Sequence, residues 1–410
     1  MNLVQITHDS IAIGQPLPYS LRDETGVLLA RRGFVIGSRA DLEDLRGRGL
    51  GFFVDVSESE RHQKAFVGKL FDLVADDRPL GAIASANLTT RDLNQLRSNP
   101  ADDEPSWPDL QLQGNRVLRD LHSDHFPDEL DRLYKRLERK THGNPDGALF
   151  ALFHLTGTEI SLYSATHAML VSVMCALAAR EVLRWPEEQE ARLCKAALTM
   201  NLGMTALQDT LAAQREAPTA EQRELIEQHP ERSVALLRQL GLHDESWLEA
   251  VRDHHRSQPG PLRDRPEGQV MARLIQRADA FAARLSPRTS RGPAAAMTAM
   301  HACYYDENKQ IDAAGAALIK AVGVYSPGSL VRLASHEVGI VVRRGANTTT
   351  PRVAVLVNRE GIATGENVLR DTSQREWRIE ASVARQEFKV KINLERMLTL
   401  TGGRPSNRFG

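Results

Sequence analysis

The first sixty residues contain the short apolar stretches and turn residues that are typical of β-strands. Hydrophobic and polar residues alternate over 17–21, a second apolar run covers 27–29, and the turn sequence Asp-Glu-Thr-Gly at 23–26 separates them. Alternation with a period of two places one set of side chains on the buried face of a sheet. With a further apolar run at 52–54, the pattern predicts a small β-rich regulatory module over residues 1–60.

The spacing of apolar residues becomes helical after residue 60 and predicts a helical connector over 61–142. Within it, residues 98–109 (SNPADDEPSWPD) combine four acidic side chains with three prolines. This composition disfavours both a helix and a packed core, so we expect a flexible linker there. The charge-rich helix predicted over 127–140 is expected to face solvent.

Helical patterns continue over residues 143–325, where the apolar run 168–179 indicates the deepest core. Because this run is shorter than the ~20 residues that cross a bilayer, we interpret it as a buried core helix. Strand patterns return after residue 325 and predict a β-extension over 326–400, with strands at 330–333, 338–342 and 353–357. The predicted fold class is mainly α: an all-helical domain flanked by a small N-terminal β-rich module and a C-terminal β-extension.

Composition narrows the class of protein without identifying a function. The 410 residues are 41% hydrophobic and 26% charged, and the formal net charge is −1, so no global charge favours binding to DNA, RNA or a membrane surface. The three cysteines are widely spaced and form no C-x-x-C pair, which indicates reduced core residues rather than disulfides or a zinc ribbon. The N-terminus lacks the features of a signal peptide, so we expect a cytoplasmic protein.

Five side chains of the helical body are candidate metal ligands: His167, His229, His254, His255 and Asp279. Their distribution over helical segments suggests a metal-dependent phosphohydrolase. Each also has a plainer interpretation. Adjacent side chains on a helix diverge by about 100°, so His254 and His255 are compatible with a surface pair. His167 is equally compatible with a hydrogen-bonded core residue, and Asp279 with an ordinary helix carboxylate beside an arginine.

Several stretches of the body follow one another in the order of a known set of motifs. They are YSATH at 163–167, ALTMNLGM at 197–204, the segment from Thr219 to His229-Pro230, VRDHHR at 251–256 and RADAF at 277–281. In this order and spacing they resemble the motifs of the HD-GYP domain, a branch of the HD phosphohydrolases that hydrolyse the bacterial second messenger cyclic di-GMP. The fold implied by the resemblance is an all-helical HD-type domain, and the match spans roughly residues 143–360.

The chain departs from this family at the residues that matter most for catalysis. The His and Asp of the family's H-D-x-G-K signature are Met200 and Asn201 here, its Lys is Met204, and only Gly203 is kept. In the family the aspartate bridges two metal ions, and asparagine keeps its shape without its charge. The thioether of methionine is a weak ligand for Fe, Mn or Mg. These losses argue against a working di-metal centre, although Met200 and Met204 could equally pack as core.

The resemblance also implies a division of the metal ligands. His229, His254 and His255 would share one ion, and His167 with Asp279 would belong to the other. Three histidines with an open position resemble a catalytic zinc site, so one divalent ion (Fe, Mn or Zn) is one prediction and no ion is the other.

Arginines form the candidate ligand-binding residues. Residues 252–291 contain nine arginines against four acidic side chains, and guanidinium groups bind phosphate and stack on purines. Arg256 lies where the family has the Glu of its H-H-E motif, and Arg288 with Arg291 falls where an R-x-x-R pair is usual. The alternative is that the arginines form a solvated face.

The sequence therefore predicts a bacterial signalling protein with a degenerate HD-GYP domain that binds cyclic di-GMP, a related cyclic dinucleotide or a partner protein, with little or no phosphodiesterase activity. Whether it is an enzyme is left open: the alternative is a phosphohydrolase that works through a residual metal site on the three histidines. A third alternative is an adaptor whose β-modules make the contacts, and a homodimer is among the expected assemblies.

Overall fold

The computed structural model describes residues 3–6, 11–55 and 105–402, with gaps at 12, 14–16, 18, 27, 31–33, 35, 47–50, 122–124, 159, 258, 287–288, 290–295, 366–367, 384–389 and 391. The chain divides into two compact units, Met1–Pro105 and Ser106–Gly410.

The N-terminal unit contains a small antiparallel sheet and one helix. Its strands lie in the spatial order β1-β4-β2-β3 around a core that includes Leu21 and Val54. The predicted β-rich character is confirmed, but strand β1 was missed. The elements are β1 Leu3–Ile6, β2 Leu21–Arg22, β3 Leu28–Ala30, α1 Arg39–Arg46 and β4 Phe52–Asp55.

The second unit is a bundle of helices followed by a sheet. The helices surround one large hydrophobic core, and two 3-10 turns, Ile160–Leu162 and Leu202–Met204, lie between them. The helices are α2 Trp107–Arg119, α3 Phe126–Gly143, α4 Pro145–Thr158, α5 Tyr163–Leu177, α6 Glu187–Thr199, α7 Thr205–Ala213, α8 Ala220–Gln239, α9 Glu245–Asp253, α10 Glu267–Leu285, α11 Ala296–Tyr304 and α12 Ala313–Val322.

Helix α5 is the centre of this core, as predicted from its apolar run. Every residue of Tyr163–Leu177 is buried, and a π-helical turn, Ala178–Leu183, continues the helix. The helix is longer than predicted: the 21 residues Tyr163–Leu183 are long and apolar enough to cross a bilayer, but 78% of the apolar window is buried inside the domain. A fully buried helix is hydrophobic all round, and that is the composition seen here.

Residues 61–104 of the predicted connector over 61–142, and with them 98–104 of the predicted linker over 98–109, lie outside the described residues, but the remainder forms helices α2 and α3 of the second unit. Ser106 caps helix α2 by accepting a hydrogen bond from the Asp109 backbone N–H, and Trp107 is buried in the core. Proline and acidic residues are favoured in the first turn of a helix, so the residues that indicated a linker also begin a helix.

Helix α3 also differs from the prediction of a solvent-facing helix over 127–140. Its Leu130, Leu133 and Leu137 are buried in the same core, and Asp131 forms an ion pair of 2.7 Å with Lys195 of α6. The apolar residues recur every three or four positions, so one stripe of this charge-rich helix faces the body. The helical body therefore begins near residue 106 rather than at 143.

The C-terminal sheet confirms the predicted β-extension. The three predicted strands are present, while two shorter strands and a helix were missed. The strands lie in the order β8-β7-β6-β5-β9, all antiparallel, and one face packs with Phe150 of α4 and Met397. The elements are β5 Leu330–Leu333, β6 Val338–Arg343, β7 Arg352–Val357, β8 Leu369–Asp371, β9 Ile379–Ser382 and α13 Leu394–Thr401.

A buried arginine ties this sheet to the helices. Arg344, whose side chain is 5% exposed, directly follows β6 and forms ion pairs with Asp146 at 2.5 Å and Glu181 at 2.9 Å. It also donates to the backbone oxygen of Ala321. Because buried charges are stable only when they are paired, these contacts fix the sheet on the helical body.

Candidate metal centre

Helical elements of the second unit bring all five predicted metal ligands into one region. His167 lies in α5, His229 in the middle of α8 and Asp279 in α10, while His254 and His255 directly follow α9. Helix α10 packs on both α5 and α9, and α8 packs on α9. His167 and Asp279 are 112 residues apart in sequence, so it is the packing of the helices that brings them together.

Three of these histidines form a compact cluster. His229, His254 and His255 each offer one ring nitrogen, and the three nitrogens lie within 4.8 Å of one another. His229 and His254 are buried and their Nε2 atoms are 3.2 Å apart, while His255 is exposed at the rim. The adjacent pair His254-His255 is therefore not a surface pair: the end of α9 turns both rings towards His229, with ring centroids 4.1 Å from each other.

The outward nitrogens of the two buried rings are held by backbone carbonyls. His229 Nδ1 lies against the oxygen of Ile226, and His254 Nδ1 lies 2.6 Å from the oxygen of Val251. A carbonyl oxygen only accepts, so each Nδ1 carries the proton and donates it. In the neutral rings both Nε2 atoms then present lone pairs to each other, an arrangement that a cation between or beside them would stabilise.

A proton is a poor candidate for that cation at neutral pH. Burial lowers the pKa of His229 to about 4, and burial together with the neighbouring His255 and His229 lowers the pKa of His254 to about 3. Both rings are therefore neutral near pH 7 and available as metal ligands.

His167 and Asp279 contact each other directly. His167 Nε2 lies 2.7 Å from Asp279 Oδ1, and the His167 ring stacks on Tyr163 with ring centroids 5.5 Å apart. Burial opposes ionisation of Asp279, but the hydrogen bond from His167 and the nearby His255 and His254 outweigh it and hold the pKa of that carboxyl below its usual range. Asp279 is thus an anion beside the histidine cluster. Among the described residues, the charged partner of Asp279 is His167 rather than an arginine.

The segment in place of the family's His-Asp dyad packs closely against α8. Met200 is fully buried in the hydrophobic core, and its backbone oxygen accepts a hydrogen bond from Ser233 Oγ. Ser233 Oγ also accepts from the Gly203 backbone N–H at 2.9 Å. A Cβ at Gly203 would lie 2.9 Å from the His229 oxygen, so only glycine allows this close approach.

Asn201 keeps a polar group at this position without a charge. It is 7% exposed, and its Oδ1 has no hydrogen-bond partner among the described residues. An unpaired buried oxygen is costly, and it is the kind of atom that a bound ion or its water satisfies. Met204, in contrast, is half-buried, so only Met200 of the two methionines packs as full core.

The donor set fits one metal ion. Three imidazole nitrogens suit zinc or iron, and two of them already have the backbone hydrogen bonds that orient metal-binding histidines. His229, His254 and His255 are the residues that would hold the ion, with Asp279 supplying negative charge nearby.

The arginine-rich stretch does not form one basic face. Arg273 and Arg277 are buried and form ion pairs with Glu307 and Asp312, so these two arginines do not belong to an exposed ligand-binding face. Arg256 is 68% exposed and lies 3.8 Å from Asp253. Arg288 and Arg291 lie outside the described residues.

Two residues that position the site were missed from the sequence. Ser233 follows His229 by one helical turn, a spacing that would have placed it on the same face of α8. Asp209 accepts hydrogen bonds from the backbone N–H and hydroxyl of Ser164 and so fixes the first turn of α5 near His167. Nothing in the local sequence indicates that second contact.

Comparison with known proteins supports the helical assignment. A family model described as an HD domain matches residues 152–315, which confirms the predicted HD-type domain. The chain is also similar to a solved structure, Bd1817, an HDG"Y"P protein from Bdellovibrio bacteriovorus, with 15% identity and a TM-score of 0.38 over 73% of this chain and 92% of that chain. No curated protein sequence matches the chain.

Proposed function

We propose that this chain, whose residues 152–315 match a family model described as an HD domain, is a signalling protein of the HD-GYP type that binds a cyclic dinucleotide such as cyclic di-GMP with little or no turnover. The histidine cluster is the part of the site that would be kept from the family for binding, and Arg256, which stands in place of the family's Glu, would add a positive charge beside it. The dyad position is the part that is lost for catalysis.

A single observation carries this proposal: the side chains that replace the dyad. Met200 is buried in the hydrophobic core, where it offers no ligand atom suited to a hard or borderline ion. Asn201 is neutral, so two divalent cations held close together would repel without an anion between them. Removal of one electrostatic group from a catalytic site typically lowers kcat by about 10²–10³, and here three groups differ, because Met204 also stands where the family has lysine.

A bound metal ion would supply Lewis-acid chemistry and hold a phosphate oxygen of the ligand. His229 and His254 would hold that ion from the protein interior, and His255 would hold it from the exposed rim. His255 and Arg256 would therefore be the first groups that a nucleotide meets.

Arg256 is the described residue best placed for a phosphate contact. Its guanidinium is exposed, and its weak 3.8 Å pairing with Asp253 leaves it able to bind a phosphate bidentately. We expect Arg256→Ala to weaken cyclic di-GMP binding about tenfold in equilibrium dialysis. Arg263→Ala is the matched control, since Arg263 is an exposed arginine of the same loop whose carboxylate neighbour Asp264 is also exposed. Equal affinities of both variants and the unaltered protein would contradict this role.

The double variant Arg288→Ala with Arg291→Ala tests the remaining arginines of the proposed ligand-binding face. We expect it to lower the affinity for cyclic di-GMP further, because both positions match the family's R-x-x-R pair. An unchanged affinity would remove these two residues from the proposed site.

The second candidate function is a phosphohydrolase that works through one ion on the three histidines. The 3.2 Å separation of two unprotonated Nε2 atoms favours it, because such a pair is ready to bind metal. Cyclic di-GMP incubated anaerobically with the protein and Fe(II) or Mn(II) should then give the linear dinucleotide or GMP. Loss of that product in His254→Ala would establish this function, and an unchanged substrate peak would exclude it.

The proposal places the chain in the cytoplasm, where cyclic dinucleotides act as second messengers, and allows a partner protein to read the bound state. A pull-down with the nucleotide present and absent tests this part: recovery of a partner in only one of the two conditions supports it, and identical recovery contradicts it.

A further inference from the structure

The five predicted metal ligands fall into two groups with different physical properties. We propose that His167 and Asp279 do not bind a second metal ion but replace it with a buried charge-assisted pair, so that the centre takes one ion, on His229, His254 and His255. This inference deepens the metal part of the proposed function and does not depend on which nucleotide binds.

The distances between ligand atoms separate the two groups. Imidazole nitrogens lie about 2.0–2.1 Å from zinc, so a tetrahedral ion separates two of them by about 3.3 Å and an octahedral ion by about 2.9 Å. The Nε2 atoms of His229 and His254 are 3.2 Å apart, which fits an ion between them. His167 Nε2 and Asp279 Oδ1 are 2.7 Å apart, closer than either geometry gives and typical of a charge-assisted hydrogen bond.

The second nitrogen of each ring gives an independent distinction. A histidine that binds metal through one nitrogen almost always donates its other N–H to an oxygen, and that bond fixes the tautomer. His229 and His254 make this bond to the Ile226 and Val251 carbonyls. The buried Nδ1 of His167 has no hydrogen-bond partner among the described residues. Its proton therefore belongs on Nε2, where it is donated to Asp279, and that nitrogen has no lone pair left for a metal.

The surroundings of His167 also favour the pair. Its ring stacks at an interplanar angle of 12° on Tyr163, which holds Nε2 towards Asp279. The side chain of His167 is 1% exposed and that of Asp279 is 19% exposed, so the bond is shielded from water. With Asn201 neutral, Asp279 is the nearby carboxylate that would offset the charge of an ion on the three histidines. His167 is thus a positioning residue for that anion.

Metal content tests the assignment directly. The full chain and its variants would be saturated with Zn²⁺, desalted and analysed for zinc per chain by mass spectrometry. We expect about one ion in the unaltered protein, about one in His167→Gln and in Asp279→Asn, and a loss of at least tenfold in zinc content in His254→Gln. His243→Gln, at an exposed histidine before α9, is the control for the loss of any histidine.

The second test is thermal unfolding in EDTA, which measures the Tm of the metal-free protein. Loss of a residue that acts only as a metal ligand would leave this Tm unchanged. Breaking a buried pair leaves an uncompensated group, so His167→Gln and Asp279→Asn should lower the metal-free Tm by about 5–10 °C. If the two residues were metal ligands, the metal-free Tm would stay within about 2 °C and only the zinc-loaded protein would be affected.

Four results would overturn the inference. They are two ions per chain in the unaltered protein, a single ion that His167→Gln or Asp279→Asn removes, a metal-free Tm that these two variants leave within about 2 °C, and no ion at all, which would reject the three-histidine site itself. None of them decides whether cyclic di-GMP binds, so failure of this inference is distinguishable from failure of the proposed function. One ion lost only in His254→Gln, with a lowered metal-free Tm in the other two variants, would support it.

Discussion

Replacement of Arg273 by leucine should destabilise the helical unit strongly. The Arg273 side chain is 1% exposed, its Nε donates to Asp312 at 2.8 Å, and its two terminal nitrogens each lie 2.9 Å from an oxygen of Glu307. Asp312 is itself 2% exposed and caps helix α12 by accepting from the Gly315 backbone N–H. Leucine would fill part of the space but leave Asp312 as a buried anion.

The expected loss of stability depends on which partners of Asp312 remain after Arg273 is replaced. Removal of one partner from a buried ion pair costs about 3–5 kcal/mol. Arg277 stays 3.3 Å from Asp312 and retains part of the interaction, so we expect the lower end, about 3 kcal/mol. For a unit of this size that corresponds to a decrease in Tm of about 6–12 °C. Arg263→Leu is the control, since Arg263 is 85% exposed and exposed pairs contribute at most about 1 kcal/mol.

The assay is urea denaturation of the full chain at pH 7, followed by circular dichroism at 222 nm, where the helical unit dominates the signal. The free energy of unfolding would be compared between Arg273→Leu and Arg263→Leu. A difference below about 1 kcal/mol would refute the reasoning, because it would mean that the buried network contributes no more than a surface pair.

Three further predictions follow from the same structure. Gly203→Ala should lower the free energy of unfolding by about 1–3 kcal/mol and weaken zinc binding, because the added Cβ would press on the His229 oxygen. Gly143→Ala is the control, since no atom lies within 4 Å of the Cβ that it adds. Chemical denaturation would measure the stability of both variants, and zinc titration their affinity for zinc. The hydrogen bond from Arg273 lowers the pKa of Glu307 from 4.5 to about 2. Ionised Glu307 therefore stabilises the folded protein fully above pH 4.5, and this contribution is lost as the pH falls towards 2. Because Glu307 is partly exposed, solvent screening limits this loss of stability to about 1–2 kcal/mol. Glu307→Gln should abolish this pH-dependent loss when the free energy of unfolding is measured against pH. The same pH profile in the variant and the unaltered protein would contradict the prediction. All three cysteines are buried and burial raises the pKa of each thiol, so a thiol reagent should react only after unfolding; rapid reaction of the native protein would show the burial to be wrong.

The architecture could be predicted from local patterns where those patterns are unambiguous. The strand Leu330–Leu333 was predicted with its observed bounds, and the buried helix at Tyr163–Leu177 followed from its apolar run. The helix beginning at Trp107 was missed because a cap, a proline and an aspartate have the same composition at the start of a helix as in a linker. Only the tertiary burial of Trp107 distinguishes the two.

The candidate site could likewise be predicted only in part. The order of motifs was enough to predict which five side chains converge, because the helical fold that they share fixes their relative positions. The partners of Arg273 could not be predicted, since Glu307 and Asp312 lie 34 and 39 residues further along the chain, outside the arginine-rich segment. The hydrogen bond between His167 and Asp279 likewise depends on the packing of α5 on α10, which no local pattern records.

Equilibrium dialysis of cyclic di-GMP against the metal-loaded protein, with both chambers analysed by chromatography, tests the central claim most directly. It measures retention and chemical change of the nucleotide in one experiment. The account predicts excess cyclic di-GMP in the protein chamber, unchanged in its chromatographic position after many hours. Accumulation of the linear dinucleotide or GMP over many turnovers, abolished by His254→Ala, would contradict it, and so would equal nucleotide in the two chambers.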